Sequence, residues 1–475
     1  MEKEGSGCRA LLRDEKRDDL ARLYRMFSKV PDGLPPIAKI VQEHVEAAGK
    51  VVLKNREAKI SAPDFKETGE APDFIKELLE LHERFRALVT EQFAADALFQ
   101  KALKTAIESV VNEQVGKHKT AELLSCYADS TLRSGGDEKL SDTQVEEVLE
   151  NIVQLFSYIE DKDIFSDVYR NQLAKRLLNQ RSVSHDAERA MIAKLKLRCG
   201  AQFTSKHEGM LTDLALGQDL QKKFQDDNAA KDEAGKLPIE FSCEVLSTAH
   251  WPTYQVLKPN LPKAMARSID AFTAFYSSNN NMRVLTWIHA LGHATVKANF
   301  KISYELQVTT LQAIALVNFN GTQDQWVPFA DVQTKTGIDT NVLKKVMHSL
   351  SCQKTKVLEK EPANNSIDPA KDQFRVLADF QSKTRKLKIP MASLEESHNP
   401  DRIEEDRSFA IEAAIVRIMK ARKMLSHTNL VNEVMAQLHA FKPQVKVVKK
   451  RIEHLIEREY LARDEADPSQ YKYLA

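Results

Sequence analysis

Residues 447–475 read VVKKRIEHLIEREYLARDEADPSQYKYLA. With Val445 just before them, Val448, Ile452 and Leu455 recur at three- and four-residue spacing, which predicts a helix with all four facing inward. Tyr460-Leu461-Ala462-Arg463 and Tyr471-Lys472-Tyr473-Leu474 flank a polar turn at Asp467-Pro468, the pattern of a hairpin wing packed beside that helix. Terminal residues ordinarily fray, so a Tyr-x-Tyr run in the last positions implies a segment tied into a sheet.

Upstream, residues 411–423 read IEAAIVRIMKARK. At about 100° per residue, Ile411, Ile415 and Ile418 fall on one face and Lys420 on the opposite one. Spacing alone makes Lys420 an ordinary surface lysine on a rigid helix. Together the two stretches resemble the cullin family, which supplies the scaffold of multisubunit ubiquitin ligases. In that family the Ile-Val-Arg-Ile-Met-Lys helix carries the acceptor lysine for neddylation, so the resemblance implies an isopeptide acceptor at Lys420. Lys423, one turn on, is the competing position.

The resemblance extends through the chain. Residues 7–27, GCRALLRDEKRDDLARLYRMF, are similar to the last N-terminal helical repeat of cullin-1-like plant and algal members. Residues 161–178, DKDIFSDVYRNQLAKRLL, and 194–211, KLKLRCGAQFTSKHEGML, resemble the cullin four-helix bundle. Val245-Leu246-Ser247-Thr248 followed by Trp251-Pro252, and Leu285-Thr286-Trp287-Ile288, resemble strands of its α/β domain, with Ala249 and His250 departing from the usual residues. The implied fold is mainly α with a smaller α/β part. A remnant of the cullin repeat spans 1–118, a four-helix bundle 119–238 and a strand-rich α/β domain 239–305. A first winged helix with returning strands spans 306–392 and a C-terminal winged helix 405–475.

Periodicity carries the same division. Leu20, Leu23, Tyr24 and Phe27 form a helical stripe, Pro35-Pro36 opens a helix through His44, and Ala71-Pro72-Asp73 starts another with Ile75, Leu78, Leu79, Leu81 and Phe85 inward. Residues 134–137 read as a linker, 225–236 as a polar flexible loop and 393–406 as a charged hinge. Residues 241–247, 283–291 and 294–304 read as strands, 306–318 as a helix, 356–360 as a strand, and Asp339 caps a helix with Val342, Leu343, Val346 and Leu350 inward. Helix, turn, helix and strand recur in the last 70 or so residues, hence two winged-helix units.

Composition excludes some functions. The 475 residues carry 69 basic and 68 acidic side chains, a net charge of +1 that gives no global case for nucleic acid or an anionic membrane. No apolar run approaches the roughly 18 residues of a membrane span. Five scattered cysteines, with no CxxC, fit a reducing compartment and argue against structural zinc; the resemblance adds cytoplasm and nucleus. His289 and His293 are four apart but lie in a strand-like run without an HExxH, which favours structural roles over a metal pair. Asp161 and Asp163 sit at a helix start, where capping is favoured over acid–base work. No catalytic residue, metal ligand or cofactor site is expected.

The resemblance implies partners instead: a RING-box protein adding a strand to the α/β sheet, with Leu246, Trp251, Trp287 and Ile288 as interface candidates; the ubiquitin-like modifier of neddylation; a ubiquitin-conjugating enzyme brought by the RING partner; and a cullin exchange factor and a deneddylating complex. A Skp-type adaptor docks on the first cullin repeat, to which nothing here corresponds. It is not expected to bind, and Met1 looks like the start of a short form, a fragment or an incomplete gene model. Two other readings stay open. A DNA-binding winged helix would use Lys446, Lys449, Lys450 and Arg451, although Glu453 and Glu457 share their face and repel phosphate; salt-dependent duplex binding would reveal it. A helical array without a ligase partner would fail to capture a RING-box protein.

Overall fold

The computed structural model describes residues 7–62, 65, 67, 69–134, 141–230, 236–280, 282–322, 325–392, 400–464 and 467–474. Its contacts divide into two units, Met1–Leu211 with Ala249–Trp251 and His398–Ala475, and Thr212–Thr248 with Pro252–Ser397.

The first unit opens with helices α1 (Cys8–Arg13), α2 (Arg17–Phe27), α3 (Leu34–Ile60), α4 (Pro72–Gln92) and α5 (Ala97–Val111). In α2 only Leu20 is fully buried; Tyr24 meets Phe93 and Phe99 edge-on. Helix α3 does not stop near His44 but runs to Ile60, because Val45, Gly49, Val52 and Leu53 continue the buried stripe. Gly49 lets α5 approach closely: a Cβ there would stand 2.3 Å from a Val110 methyl. Four helices follow, α6 (Thr120–Leu132), α7 (Asp142–Phe156), α8 (Lys162–Leu178) and α9 (His185–Cys199). Arg176 of α8 is buried against Glu188 of α9, with Nε to Oε1 at 2.7 Å and Nη2 to Oε2 at 2.9 Å. Burial opposes its charge, yet the bonds to Glu188 raise its pKa. The linker expected at 134–137 lies outside the described residues beyond Ser134.

Helix α10 (Ala201–Ala229) takes up the start of the expected 225–236 loop, whose residues 231–235 lie outside the described ones. Buried Phe224 holds its last turns, so local polarity yields to one aromatic anchor.

In the second unit α11 (Lys263–Asn279) precedes β1 (His293–Asn299) and β2 (Ser303–Thr309), which pair antiparallel from His293↔Thr309 to Asn299↔Ser303. The strand expected over 294–304 is therefore two strands joined by a turn. The helix expected from 306 starts later, as α12 (Thr310–Val317). Tyr304, Leu306 and Val308 alternate inward in β2, and Thr309 ends it with a capping box to Gln312. Then come β3 (Val327–Pro328), α13 (Phe329–Thr336), α14 (Thr340–Ser351), β4 (Leu358–Glu361), β5 (Gln373–Val376) and β6 (Lys386–Lys388). Asp339 accepts from the Asn341 N–H and caps α14, whose Val342, Leu343, Val346 and Leu350 are all buried. The sheet orders are β1-β2-β6, with β6 parallel to β2, and β3-β5-β4.

Residues 400–474 form α15 (Pro400–Arg422), β7 (Met424–Ser426), α16 (His427–Gln437), α17 (Val445–Glu457), β8 (Leu461–Arg463) and β9 (Gln470–Tyr473). The hinge expected over 393–406 is helical from Pro400; 393–399 lie outside the described residues. The sheet order is β7-β9-β8, so the last strand is central. Helix, strand, helix, helix, strand, strand, with the third strand in the middle, is also the order from α12 to β5. The apolar cluster here, around Ile411, Ile415, Ile418, Met419, Leu430, Val448, Ile452, Leu455 and Tyr471, takes every member from 410–473. Val445 departs from expectation: at the first helical position of α17 it is 48% exposed, since a stripe buries only where a facing helix or strand covers it.

Candidate functional site: helix α15 and two segments outside the sheets

Helix α15 presents Lys420 in its last turn. Ile415, Ile418 and Met419 are buried beside it, while Lys420 is exposed and meets no hydrogen-bonding or ion-pair partner among the described residues. Lys423 differs. Its backbone is left-handed at φ 66°, its N–H donates to Met419 O at 2.8 Å, and its carbonyl accepts from the Tyr473 N–H at 2.9 Å. Its ammonium lies 5.1 Å from the Tyr473 ring centroid. The inner face of α15 carries Glu412, a nearly buried carboxylate that receives Arg451 and His454 of α17 and Arg458 just past its end at 3.4, 2.9 and 3.5 Å. That cluster fixes the two helices against each other and thereby the direction in which Lys420 points.

The second candidate surface lies in the second unit. Residues 241–247 and 283–288 are extended but join no sheet, contrary to the strands expected there. Phe241, Cys243 and Val245 turn onto Phe224 and Phe272 of α10 and α11, and Leu285 and Trp287 join the same cluster. Side chains of α10 hold the backbone: Gln221 Nε2 donates to Phe241 O at 3.0 Å, Cys243 N–H donates to Gln221 Oε1 at 3.2 Å and Ser247 N–H to Asp213 Oδ2 at 2.9 Å. Leu246 and Ile288 are half-buried, and Trp287 gives its indole N–H to Thr273 Oγ1 at 3.3 Å. Val284, within the second segment, is 94% exposed, and Met282, just before it, 98%. Trp251, in the other unit, is buried at 4%. Neighbouring His250 lies over α10 where Gly209 leaves room, since a Cβ there would come within 2.4 Å of its ring.

His289 sits in a turn and His293 at the start of β1. Burial holds the His289 imidazole below its usual pKa. Among the described residues no group of three or more His, Cys, Asp or Glu could hold a metal. None of the described helices is long and apolar enough to cross a membrane. On α17, Lys446, Lys449 and Lys450 are exposed together with Glu453 and Glu457.

Asp161 and Asp163 depart from the capping role. Asp161 occupies the N-cap of α8 without a capping hydrogen bond. Both carboxylates instead take the guanidinium of Arg407, a residue no sequence pattern connects to them. Nε donates to Asp163 Oδ2 at 2.6 Å and Nη2 to Asp161 Oδ1 and Asp163 Oδ1 at 2.7 Å each.

Comparison with known proteins closes the argument. Residues 1–221 match the cullin alpha solenoid domain, 245–380 the cullin alpha+beta domain and 406–467 the cullin protein neddylation domain. This chain belongs to the cullin family. Cullin-1 of Oryza sativa subsp. japonica is 43% identical over 482 residues, covering all of this chain and 64% of that protein. Cullin-2 of Arabidopsis thaliana is 39% identical over all of this chain and 64% of its own length, and mouse (Mus musculus) Cullin-4A is 35% identical over 99% and 60%. The cullin described here thus spans somewhat under two thirds of the length of these relatives, with a cullin-1-like character. Its matched neddylation domain takes in α15 from residue 406 onward, Lys420 included.

Proposed function

We propose that this cullin chain is a non-catalytic scaffold of a ubiquitin ligase that binds a RING-box protein and is activated by neddylation at Lys420. The observation that favours RING binding is the pair of extended segments at 241–247 and 283–288. Each has one apolar face seated on α10 and α11 and no strand beside it among the described residues. Backbone in that state is ready to take an added strand, and the exposed Val284 and Met282 offer apolar area to it. The exposure of Lys420 on a rigid helix supports the acceptor role. The chemistry is positional: the RING partner recruits a ubiquitin-charged conjugating enzyme, and holding it near a substrate raises the effective concentration of the target lysine. Attachment at Lys420 shifts residues 405–475, a winged helix in this reading, from their resting contact. An exchange factor and a deneddylating complex act on the same surfaces, in cytoplasm and nucleus.

The test is capture of a purified RING-box protein by residues 119–475. Binding is expected, weakened by Leu246→Asp and Ile288→Asp with the helix content unchanged. Equal affinity of both variants would remove these segments from the interface, and no binding by the parent would defeat the scaffold reading.

A further inference from the structure

Residues 400–474 own their apolar core, so what joins them to α8 is polar. Arg407 grips Asp163 through two teeth and Asp161 through one, and its guanidinium lies 4.9 Å from the Phe441 ring. Lys119 Nζ holds the other oxygen of Asp161 at 2.8 Å. Lys442 meets Glu160 at 3.0 Å, and the Asp163 N–H donates to Ala440 O at 3.0 Å. Arg407 is 12% exposed and the two aspartates 24% and 22%, so the pairs are partly shielded from water. Lys420 stands 13 residues further along α15, about 20 Å from this anchor.

We propose that Arg407, Asp161 and Asp163 form a releasable latch that seats residues 400–474 against the N-terminus of α8. The inference rests on the reading above only for what opens the latch, namely the modifier on Lys420. Release is cheap for a structural reason. Asp161 already occupies the N-cap of α8 and Asp163 its first turn, where a helix dipole favours negative charge. When Arg407 leaves, Asp161 can accept the idle N–H groups of α8 as an ordinary cap, so neither carboxylate is stranded. One pair of side chains thus serves two states, and no apolar core is opened in passing between them.

Amide hydrogen exchange on the complete, unmodified chain tests this. Arg407→Gln is expected to speed exchange at Asp163 by about tenfold or more while amides of Ile415 and Ile452, inside the separate core, keep their rates. Raising salt from about 50 to about 500 mM should loosen Asp163 in the parent and leave Arg407→Gln indifferent. In the Arg407→Gln background, Asp161→Ala should unfold the first turn of α8, because the cap is then in use. Unchanged protection of Asp163 in Arg407→Gln would overturn the latch. Equal loss of protection at Ile415 and Ile452 would overturn it too, making Arg407 a residue of the fold. Modifying Lys420 is expected to reproduce the Arg407→Gln pattern; a modified chain with Asp163 still protected would overturn modifier-driven release. Failure to modify Lys420 at all counts against the acceptor assignment, while the exchange measurements on the unmodified chain judge the latch separately.

Discussion

The ammonium of Lys423 stands 5.1 Å from the centre of the Tyr473 ring, which ties the end of α15 to the central strand of its sheet. Lys420, less than one turn earlier, is exposed with no such tie. The two lysines therefore answer differently to substitution. Lys420→Arg should abolish attachment of the modifier and change stability by less than about 0.5 kcal/mol. Lys423→Ala should leave attachment intact and cost about 0.5–1 kcal/mol through the lost cation–π contact. Intact-mass analysis after in vitro modification, alongside thermal denaturation, reads both; attachment surviving in Lys420→Arg would move the acceptor elsewhere.

Val445 and Val448 lie one turn apart on α17 but differ in cover. Val448 is fully buried and Val445 is half exposed. Val448→Ala should destabilise residues 400–474 by about 1–3 kcal/mol, and Val445→Ala by less than about 0.5. Urea unfolding followed by an amide signal of this region checks the contrast.

Arg176→Met leaves the Glu188 carboxylate, 0% exposed, with hydroxyl donors at Ser182 and Tyr169 as its remaining partners among the described residues. The expected cost is about 3–5 kcal/mol, only partly regained in Arg176→Met/Glu188→Leu, which removes the buried pair but leaves Asp129, 14% exposed, without its Arg176 bond. If the double variant is as unstable as the single one, packing rather than charge carries the site. Chemical denaturation of the three proteins decides it.

His82 and His207 are both pushed down to about 4 by burial. The unfolded chain takes up protons near pH 6.5 that the folded one refuses until about pH 4. Stability is therefore complete above pH 6.5 and falls as pH drops toward 4, by about 2 kcal/mol for each histidine at pH 5. His82→Gln should remove about 2 kcal/mol of the fall at pH 5. Denaturation midpoints at pH 7, 6 and 5 test the sign and size.

Long helical stripes were legible: Ile75, Leu78, Leu81 and Phe85, or Val342, Leu343, Val346 and Leu350, bury as their spacing dictates. Ladders were not. Alternation in Phe241, Cys243 and Val245 marks an extended chain with one covered face, and that is all it marks, since the partner of a strand is a fact of tertiary structure. A helix over 306–318 takes in Leu306 and Val308, yet Thr309 and Gln312 spell a capping box that fixes the boundary after them. Lys420 as an outward residue followed from three isoleucines; its candidacy as acceptor needed the family motif. The partners of Arg407 lie 244 and 246 residues away, and nothing local in a charged run could name them.

The central place of β9 gives the sheet of residues 400–474 a fixed order of completion. Met424–Ser426 and Leu461–Arg463 do not touch each other; each pairs only with Gln470–Tyr473. Until Gln470–Tyr473 joins them, both outer strands carry an open edge, so the sheet closes in one last step. A message cut short by a few codons before Gln470 would yield helices with no closed sheet, which quality-control proteases can recognise as readily as a ruined core.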